Sequence, residues 1–328
     1  MKELIEKMKF YFAPLEGVTG YIYRNAHATF FNNADKYFTP FLAPNQHGRF
    51  SSKEINDILP EHNEGLRVIP QILTNNAQDF IRTAKQLKEY GYNEVNLNLG
   101  CPSGTVVAKY KGSGFLAQRE ALEIFLDQIF EESVTKISIK TRIGRDTPEE
   151  FGALIELFNK YPMEELIIHP RVQKDYYKNK PNWDVFKKGL EKSNNTVCYN
   201  GDIFTAEDYQ NFNKTFSGVD TIMLGRGLIA NPGLISDITE QKTLDKEVLK
   251  AFHDKLYADY QSILSGDRNV LFKMKEVWFY MMHMFSNSEK YAKKIRKAQR
   301  CGDYEIAVAQ LFREQDIIKG AGLFSSKE

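Results

Sequence analysis

Cysteine is scarce in this chain. Cys101, Cys198 and Cys301 are an odd number at wide spacing, and none forms a C-x-x-C pair, which argues against a disulfide framework and against a sequence-local zinc or dithiol site. Long apolar runs are missing as well. No uncharged apolar run approaches the roughly 20 residues that span a bilayer, and the opening MKELIEKMKFYFAPL lacks the unbroken apolar stretch of a secretory signal. A cytoplasmic protein with no membrane partner is expected. Net charge is close to zero, +1 overall, but it is unevenly placed. Residues 241–328 hold 16 Lys+Arg against 12 Asp+Glu (+4), which leaves 28 against 31 (−3) for residues 1–240. The basic excess therefore belongs to the C-terminal end.

What is present is apolar material in abundance: 42% of the 328 residues are hydrophobic and 13% aromatic, enough for a large α/β domain with a smaller one beside it. Short β-branched or aromatic runs alternate with longer amphipathic stretches through the first 230 or so residues, the βαβ rhythm. Strands are expected at 10–17, 36–41, 67–73, 94–100, 136–144, 165–170, 196–201 and 221–227. Between them, AQDFIRTAKQLKEYG places Phe80, Ala84, Leu87 and Tyr90 at helical spacing with Gly91 as the C-cap, and Thr147-Pro148-Glu149-Glu150 reads as a helix start. Eight strand–helix repeats fit a (β/α)8 TIM barrel; the rival doubly wound sheet lacks a G-x-G-x-x-G after its first strand. Beyond about residue 243, stretches at 246–264, 269–285, 290–300 and 303–319 read as helices. Two domains are expected, a catalytic barrel at 1–240 and an all-helical domain at 241–328.

Catalytic groups of such barrels gather at the C-terminal ends of the strands. Here those ends carry Pro14 to Gly17, Gln71, Asn98 with Cys101, Lys140 with Arg142, His169 with Arg171, Asn200 to Asp202, and Gly225 to Gly227. Polar groups there would each need a buried partner, so their recurrence points to a polar ligand. Lys140, inside the alternation ISIKTRIG, is either a snorkelling rim lysine or a fixed charge facing an anion or an electron-rich ring. His169 is either a satisfied core histidine or a ligand contact. NGD and GRG after the seventh and eighth strands suit a phosphate clamp, with Arg226 supplying charge and Gly201 and Gly225 letting the backbone come close. Cys198 and Cys301 read as small buried hydrophobes. Cys101 begins a loop with four glycines, GCPSGTVVAKYKGSGFLA, where a thiol can act as nucleophile or proton donor. No Ser-His-Asp or Cys-His spacing supports hydrolysis.

APLEGVT, NLNLGCPS with KGSGFLA, IKTRIG, IIHPR, YNGDI and IMLGRG, in this order, resemble the flavin-dependent tRNA-dihydrouridine synthases across nearly the whole barrel. The resemblance implies FMN at the barrel mouth, NADPH as electron donor, a tRNA uridine as substrate, hydride delivery to uracil C6, and Cys101 as the acid that protonates C5. It implies flavin contacts for Pro14, Leu15, Glu16, Gln71, Lys140 and His169, and phosphate or ribityl contacts for Asn200, Gly201, Asp202, Gly225 and Arg226. Asn98, Arg142 and Arg171 would meet the substrate. HPRVQKDYYKNK departs from the family's pattern by carrying Val172 where a threonine is usual, which weakens the expectation of RNA contacts from that loop.

The stretch KYAKKIRKAQR has no acid, and on a helix Lys290, Lys293, Lys294 and Lys297 share one face, a surface for RNA phosphates or merely a solvated one. Trp278 and Tyr280 belong to the helical core or stack on RNA. An extruded uridine costs a few kcal/mol of unstacking, which a separate grip on the RNA body would offset. The rivals are an FMN barrel acting on a free pyrimidine or enone, and an RNA-binding homologue that has lost catalysis. A monomer without metal is expected.

Overall fold

The structure is a computed structural model that describes residues 8–44 and 48–322; the outermost parts of the two expected domains, residues 1–7 and 323–328, lie outside the described residues. All eight expected strands form, each shorter than its apolar run: β1 (Lys9–Phe12), β2 (Lys36–Phe38), β3 (Val68–Ile69 and Gln71–Ile72), β4 (Glu94–Leu99), β5 (Lys136–Arg142), β6 (Leu166–His169), β7 (Val197–Tyr199) and β8 (Thr221–Leu224). The sheet order runs from the first half of β3 through β2, β1, β8, β7, β6, β5 and β4 to the second half of β3.

Pro70 explains why β3 appears at both ends of that order. It has no N–H to give, so one ladder cannot run through it. Val68 and Ile69 pair with Tyr37 and Phe38 of β2, whereas Gln71 and Ile72 pair with Asn96 and Leu97 of β4. The Pro70 carbonyl still accepts from the Asn96 N–H at 2.8 Å. One continuous strand thus changes neighbours at its proline and closes a parallel ring, the (β/α)8 arrangement the sequence implied.

The chain divides into two compact units. The larger one, residues 36–202 with 219–223, contains β2 to β7 and most of β8. Successive side chains of a strand face opposite ways. On β4 and β5 the apolar set Val95, Leu97, Leu99, Ile137 and Ile139 is buried on one face, and Asn96, Asn98, Ser138, Lys140 and Arg142 occupy the other. The Ala77–Glu89 helix starts with Asn76 capping the Asp79 N–H and stops at Gly91, whose φ of +93° suits glycine. After β5, the Glu150 carboxylate accepts from the Thr147 N–H at 2.7 Å where the helical segment at Pro148 begins.

The second unit joins residues 1–35, 203–218 and 224–328. Among its described residues are β1, the Tyr21–Phe30 helix and the helices Lys246–Ile263, Asp267–Met281, Glu289–Lys297 and Cys301–Glu314. Phe252 packs edge-on against Tyr23, Phe30 and Phe31, so the C-terminal helices share a core with the N-terminal one. The expected 303–319 helix instead begins at Cys301, whose N–H donates to Asp267 at 2.8 Å, and ends at Glu314. Trp278 lies in the core, its indole N–H donating to the Tyr304 hydroxyl at 2.7 Å, while Tyr280 is half-buried. No described helix is long and apolar enough to cross a membrane.

Candidate active site

The β3–β4–β5 register of the larger unit sets Gln71 beside Asn96, Asn96 beside Ser138 and Asn98 beside Lys140. A chain of buried side-chain hydrogen bonds follows from it. Asn98 Nδ2 donates to Gln71 Oε1 at 2.6 Å, Gln71 Nε2 to Asn96 Oδ1 at 2.8 Å, and Asn96 Nδ2 to Ser138 Oγ at 3.0 Å. Its free end reaches the cysteine loop: Asn98 Oδ1 accepts from the backbone N–H of Gly100 at 3.0 Å and of Cys101 at 2.9 Å. Both donors of the turn after β4 are thereby satisfied by one side chain, an Asx turn.

The carbonyl side of the same turn is held too. The Cys101 carbonyl accepts from the Ser113 N–H at 3.1 Å and from Ser113 Oγ at 2.7 Å. Gly112, at φ +55°, leads into that contact, and a Cβ on it would stand 2.8 Å from the Cys101 oxygen. Cys101 itself is half-buried, unlike Cys198, whose thiol is fully enclosed and pushed up in pKa by desolvation. Cys301 is also half-buried, which corrects the expectation that it would be a buried hydrophobe; its backbone caps onto Asp267 at a helix start.

Lys140 extends from β5 next to Gly100, where a Cβ would come within 3.9 Å of its Nζ. Among the described residues it has no hydrogen-bond or ion-pair partner. Burial, with the charge of Arg142 adding to it, brings its pKa down to about 8. A desolvated cation left without a counter-charge is costly to the fold and suits an anionic or electron-rich ligand.

The arginines are differently placed. Arg142 is buried with its donors on main-chain carbonyls: Gly100 at 3.0 Å, Val172 at 2.8 Å and Tyr176 at 2.9 Å. It ties the cysteine turn to the loop after β6. Arg171 forms a two-pronged pair with the Asp202 carboxylate, and its Nη1 also donates to His169 Nε2 at 3.2 Å. A guanidinium can only donate, so His169 Nε2 is the acceptor in that contact. Asn200 Nδ2 donates to the Met223 carbonyl at 2.8 Å. At Gly201 the space that a Cβ would fill holds the Tyr199 hydroxyl, 2.0 Å away, so an aromatic ring already requires glycine there.

Of the expected residues in this unit, Gln71, Asn98, Cys101, Lys140, Arg142, His169, Arg171, Asn200, Gly201 and Asp202 all fall at the C-terminal ends of β3 to β7. Three further residues matter that the motifs did not single out. Asn96 and Ser113 anchor the turn, and Gln173 Nε2 donates to the Pro102 carbonyl at 3.1 Å. Asn96 was visible as the first polar position of the N-L-N alternation; nothing marked Gln173.

In the other unit, Leu15 closes a turn in which its carbonyl accepts from Val18 and Thr19 at 3.1 and 3.0 Å. Pro14 and Leu15 are half-buried and Glu16 is exposed. Lys273 of the Asp267–Met281 helix donates to the Gly17 carbonyl, so a C-terminal helix steadies this first loop. A Cβ on Gly225 would stand 3.3 Å from Leu15 Cδ1, and the Arg226 guanidinium lies over Phe204 at 5.1 Å. On the Glu289–Lys297 helix, Tyr291 and Ile295 face the core and Lys290, Lys293, Lys294 and Lys297 are exposed. Lys290 meets Glu314 at 3.4 Å and Lys294 meets Gln310 at 2.8 Å; among the described residues Lys293 and Lys297 have no side-chain partner.

The sequence matches the family described as Dihydrouridine synthase (Dus) over residues 11–318. A Staphylococcus aureus chain named "Probable tRNA-dihydrouridine synthase" is 27% identical over 269 residues, 77% of this chain and 78% of that one. A "tRNA-dihydrouridine(16) synthase" of Vibrio parahaemolyticus is 24% identical over 310 residues, 88% and 92% of the two chains. Among solved structures, a variant of NCR from Zymomonas mobilis aligns with a TM-score of 0.52 at 15% identity, over 74% of this chain and 90% of that one. Histamine dehydrogenase from Rhizobium sp. 4-9 aligns with a TM-score of 0.54 at 13% identity, over 71% of this chain and 46% of the other. Those two share the barrel fold. With a match that runs from β1 to beyond the last helix, the chain belongs to the dihydrouridine synthase family.

Proposed function

We propose that this protein is an FMN-dependent tRNA-dihydrouridine synthase that uses NADPH, works in the cytoplasm as a monomer, and protonates the substrate through Cys101. Family membership over residues 11–318 supports the reaction class. The observation that carries the residue assignment is the clamp on Cys101: its N–H is fixed by Asn98 and its carbonyl by Ser113, one residue from Gly100 against which Lys140 packs.

The residues suit FMN. Lys140 is a desolvated cation without a partner among the described residues, fitted to an electron-rich ring or its negative charge. Gln71 has spent one N–H and one lone pair on the amide chain and keeps one of each for a heterocycle edge. His169, Asn200, Gly201 and Asp202 lie along the same strand ends, and Pro14, Leu15, Glu16, Gly225 and Arg226 are assigned to the cofactor by their motifs. FMN, when bound, supplies the hydride for uracil C6, replenished from NADPH.

The chain's own residues do the rest. Addition of hydride at C6 leaves electron density at C5 that must be quenched by a proton, and the Cys101 thiol is the positioned donor. Asn98 holds that donor from the backbone side and has one amide N–H left for a substrate carbonyl. Arg142 ties the cysteine turn to the loop after β6 through carbonyl contacts, and the Arg171–Asp202 ion pair ties that loop to the one after β7, which is a positioning role for the substrate. Lys290, Lys293, Lys294 and Lys297 meet tRNA phosphates.

The test is Cys101→Ala in the full chain loaded with FMN. It is expected to keep the flavin absorbance and tRNA binding while dihydrouridine formation falls by about 10²- to 10⁴-fold, the usual worth of a positioned acid. Undiminished turnover in that variant removes the thiol from the reaction.

A further inference from the structure

A groove runs between the Asp267–Met281 and Glu289–Lys297 helices, within one unit, with a volume of about 350 Å³. Lys275, Trp278, Phe279 and Met282 recur at helical spacing along one wall, followed by His283; Ala292, Ile295 and Arg296 line the other. Phe279 is 70% exposed, which is unusual for a phenylalanine whose neighbour Trp278 is 2% exposed in the core. Its ring stands edge-on to Tyr280 at 5.0 Å and leaves a face open. Burial keeps the His283 imidazole below its ordinary pKa, hence uncharged at neutral pH. Among the described residues that line the groove Glu289 is the single acid; Arg296 lines it too, and Lys293 and Lys297 of the same helix are exposed, all three cations with no ion-pair or side-chain partner among the described residues. Lys275 is already spent on the Ala298 carbonyl.

We infer that this groove takes an unstacked nucleobase of the tRNA body, laid against Phe279, with the adjoining phosphates on Arg296, Lys293 and Lys297. Charge decides the class of occupant. An open aromatic face bordered by unneutralised cations matches a polyanion that carries flat π-surfaces, and the combination of stacking platform and basic rim is how single-stranded segments are gripped without sequence readout. An acidic peptide would use the cations but gain little from the exposed ring. The inference rests on the tRNA reading above and adds a second point of attachment away from the strand ends that carry Cys101.

The experiment measures binding of unmodified tRNA transcript to the full chain across a salt series, together with dihydrouridine formation. Phe279→Ala is expected to bind roughly tenfold more weakly at every salt concentration with the salt slope unchanged, since a lost stack is not an electrostatic loss. Phe279→Tyr restores the affinity. Arg296→Gln lowers the slope of log affinity against log salt by about one. The Phe279 side chain is exposed, and unchanged flavin content and melting temperature identify a folded variant. Phe279→Ala binding within twofold of the parent, in a protein that makes dihydrouridine, overturns the groove while leaving the enzyme reading intact. A parent that forms no dihydrouridine with FMN, NADPH and tRNA overturns both. A fall in oligomer mass in Phe279→Ala at unchanged tRNA affinity overturns it in favour of a second copy of the chain.

Discussion

Two lysines on neighbouring parts of one barrel are treated in opposite ways. Lys36 opens β2 and is fully buried, with its Nζ 3.0 Å from both carboxylate oxygens of Glu94 and 3.0 Å from Glu165. Lys140, toward the far end of β5, has no such partner among the described residues and is held with its pKa near 8. With Arg67 3.7 Å from Glu94 as the second cation, the N-terminal ends of the strands thus carry a charge-balanced cluster, closed to ligands by its own satisfaction. The C-terminal ends keep an unneutralised charge. A barrel whose lower face is built for stability and whose upper face is built for chemistry is expected to show this division, and charge pairing makes it visible residue by residue.

Breaking the paired lysine has the largest effect. Lys36→Met removes the buried ammonium from between Glu94 and Glu165 and leaves Glu94 only the mostly exposed Arg67, 3.7 Å away, and denaturant unfolding is expected to report a loss of about 3–5 kcal/mol, the usual cost of removing one partner from a buried ion cluster. Lys136, exposed on β5 and bridged to Glu164 at 2.8 Å, is the control: Lys136→Met is expected to leave stability unchanged. A mild Lys36→Met variant would mean that the cluster is solvated.

The unpaired lysine responds with the opposite sign. Its folded pKa lies below its unfolded value of 10.5, so its charge costs stability in full below about 8, and the cost shrinks as pH rises above 8 and is gone only beyond 10.5. Lys140→Met is therefore expected to stabilise the flavin-free protein by about 1–3 kcal/mol while abolishing tight flavin retention, a trade of function for stability. Destabilisation together with lost flavin would place Lys140 among the structural lysines.

The smallest effect sharpens the same point. If the Lys140 charge holds the cofactor, FMN affinity of the flavin-free protein is expected to fall about tenfold between pH 7 and pH 9, as the ammonium deprotonates around pH 8, and to stay flat over that range in Lys140→Met. Equilibrium titration by flavin fluorescence measures both curves. Parallel curves would detach the lysine from the cofactor.

The fold was legible because each strand is a short run of β-branched and aromatic residues between helices with clear caps. The exchange of partners at Pro70 was not, since a proline in RVIPQIL signals an interruption but not which neighbours lie on either side. In the candidate site, residue types at strand ends were legible and their partners were not. Arg142 and Arg171 looked like free cations for a substrate; the acceptors that engage them come from residues 100, 172, 176 and 202, and no local pattern announces those. Gly201 read as a glycine chosen for a phosphate, and the Tyr199 hydroxyl, 2.0 Å from where a Cβ would stand, gives the fold its own reason for that glycine. The tightest constraint on Cys101, the serine at 113, sits twelve residues downstream, where only a glycine-flanked turn hinted at it.

The amide chain from Ser138 through Asn96, Gln71 and Asn98 to the Cys101 backbone spans three strands. A slip of one residue in any of them turns every side chain to the opposite face and uncouples the thiol from the barrel wall. Alignment of the wall and aim of the acid are thus a single inherited quantity, and random drift in β3, β4 or β5 is filtered through turnover even at positions that no substrate touches.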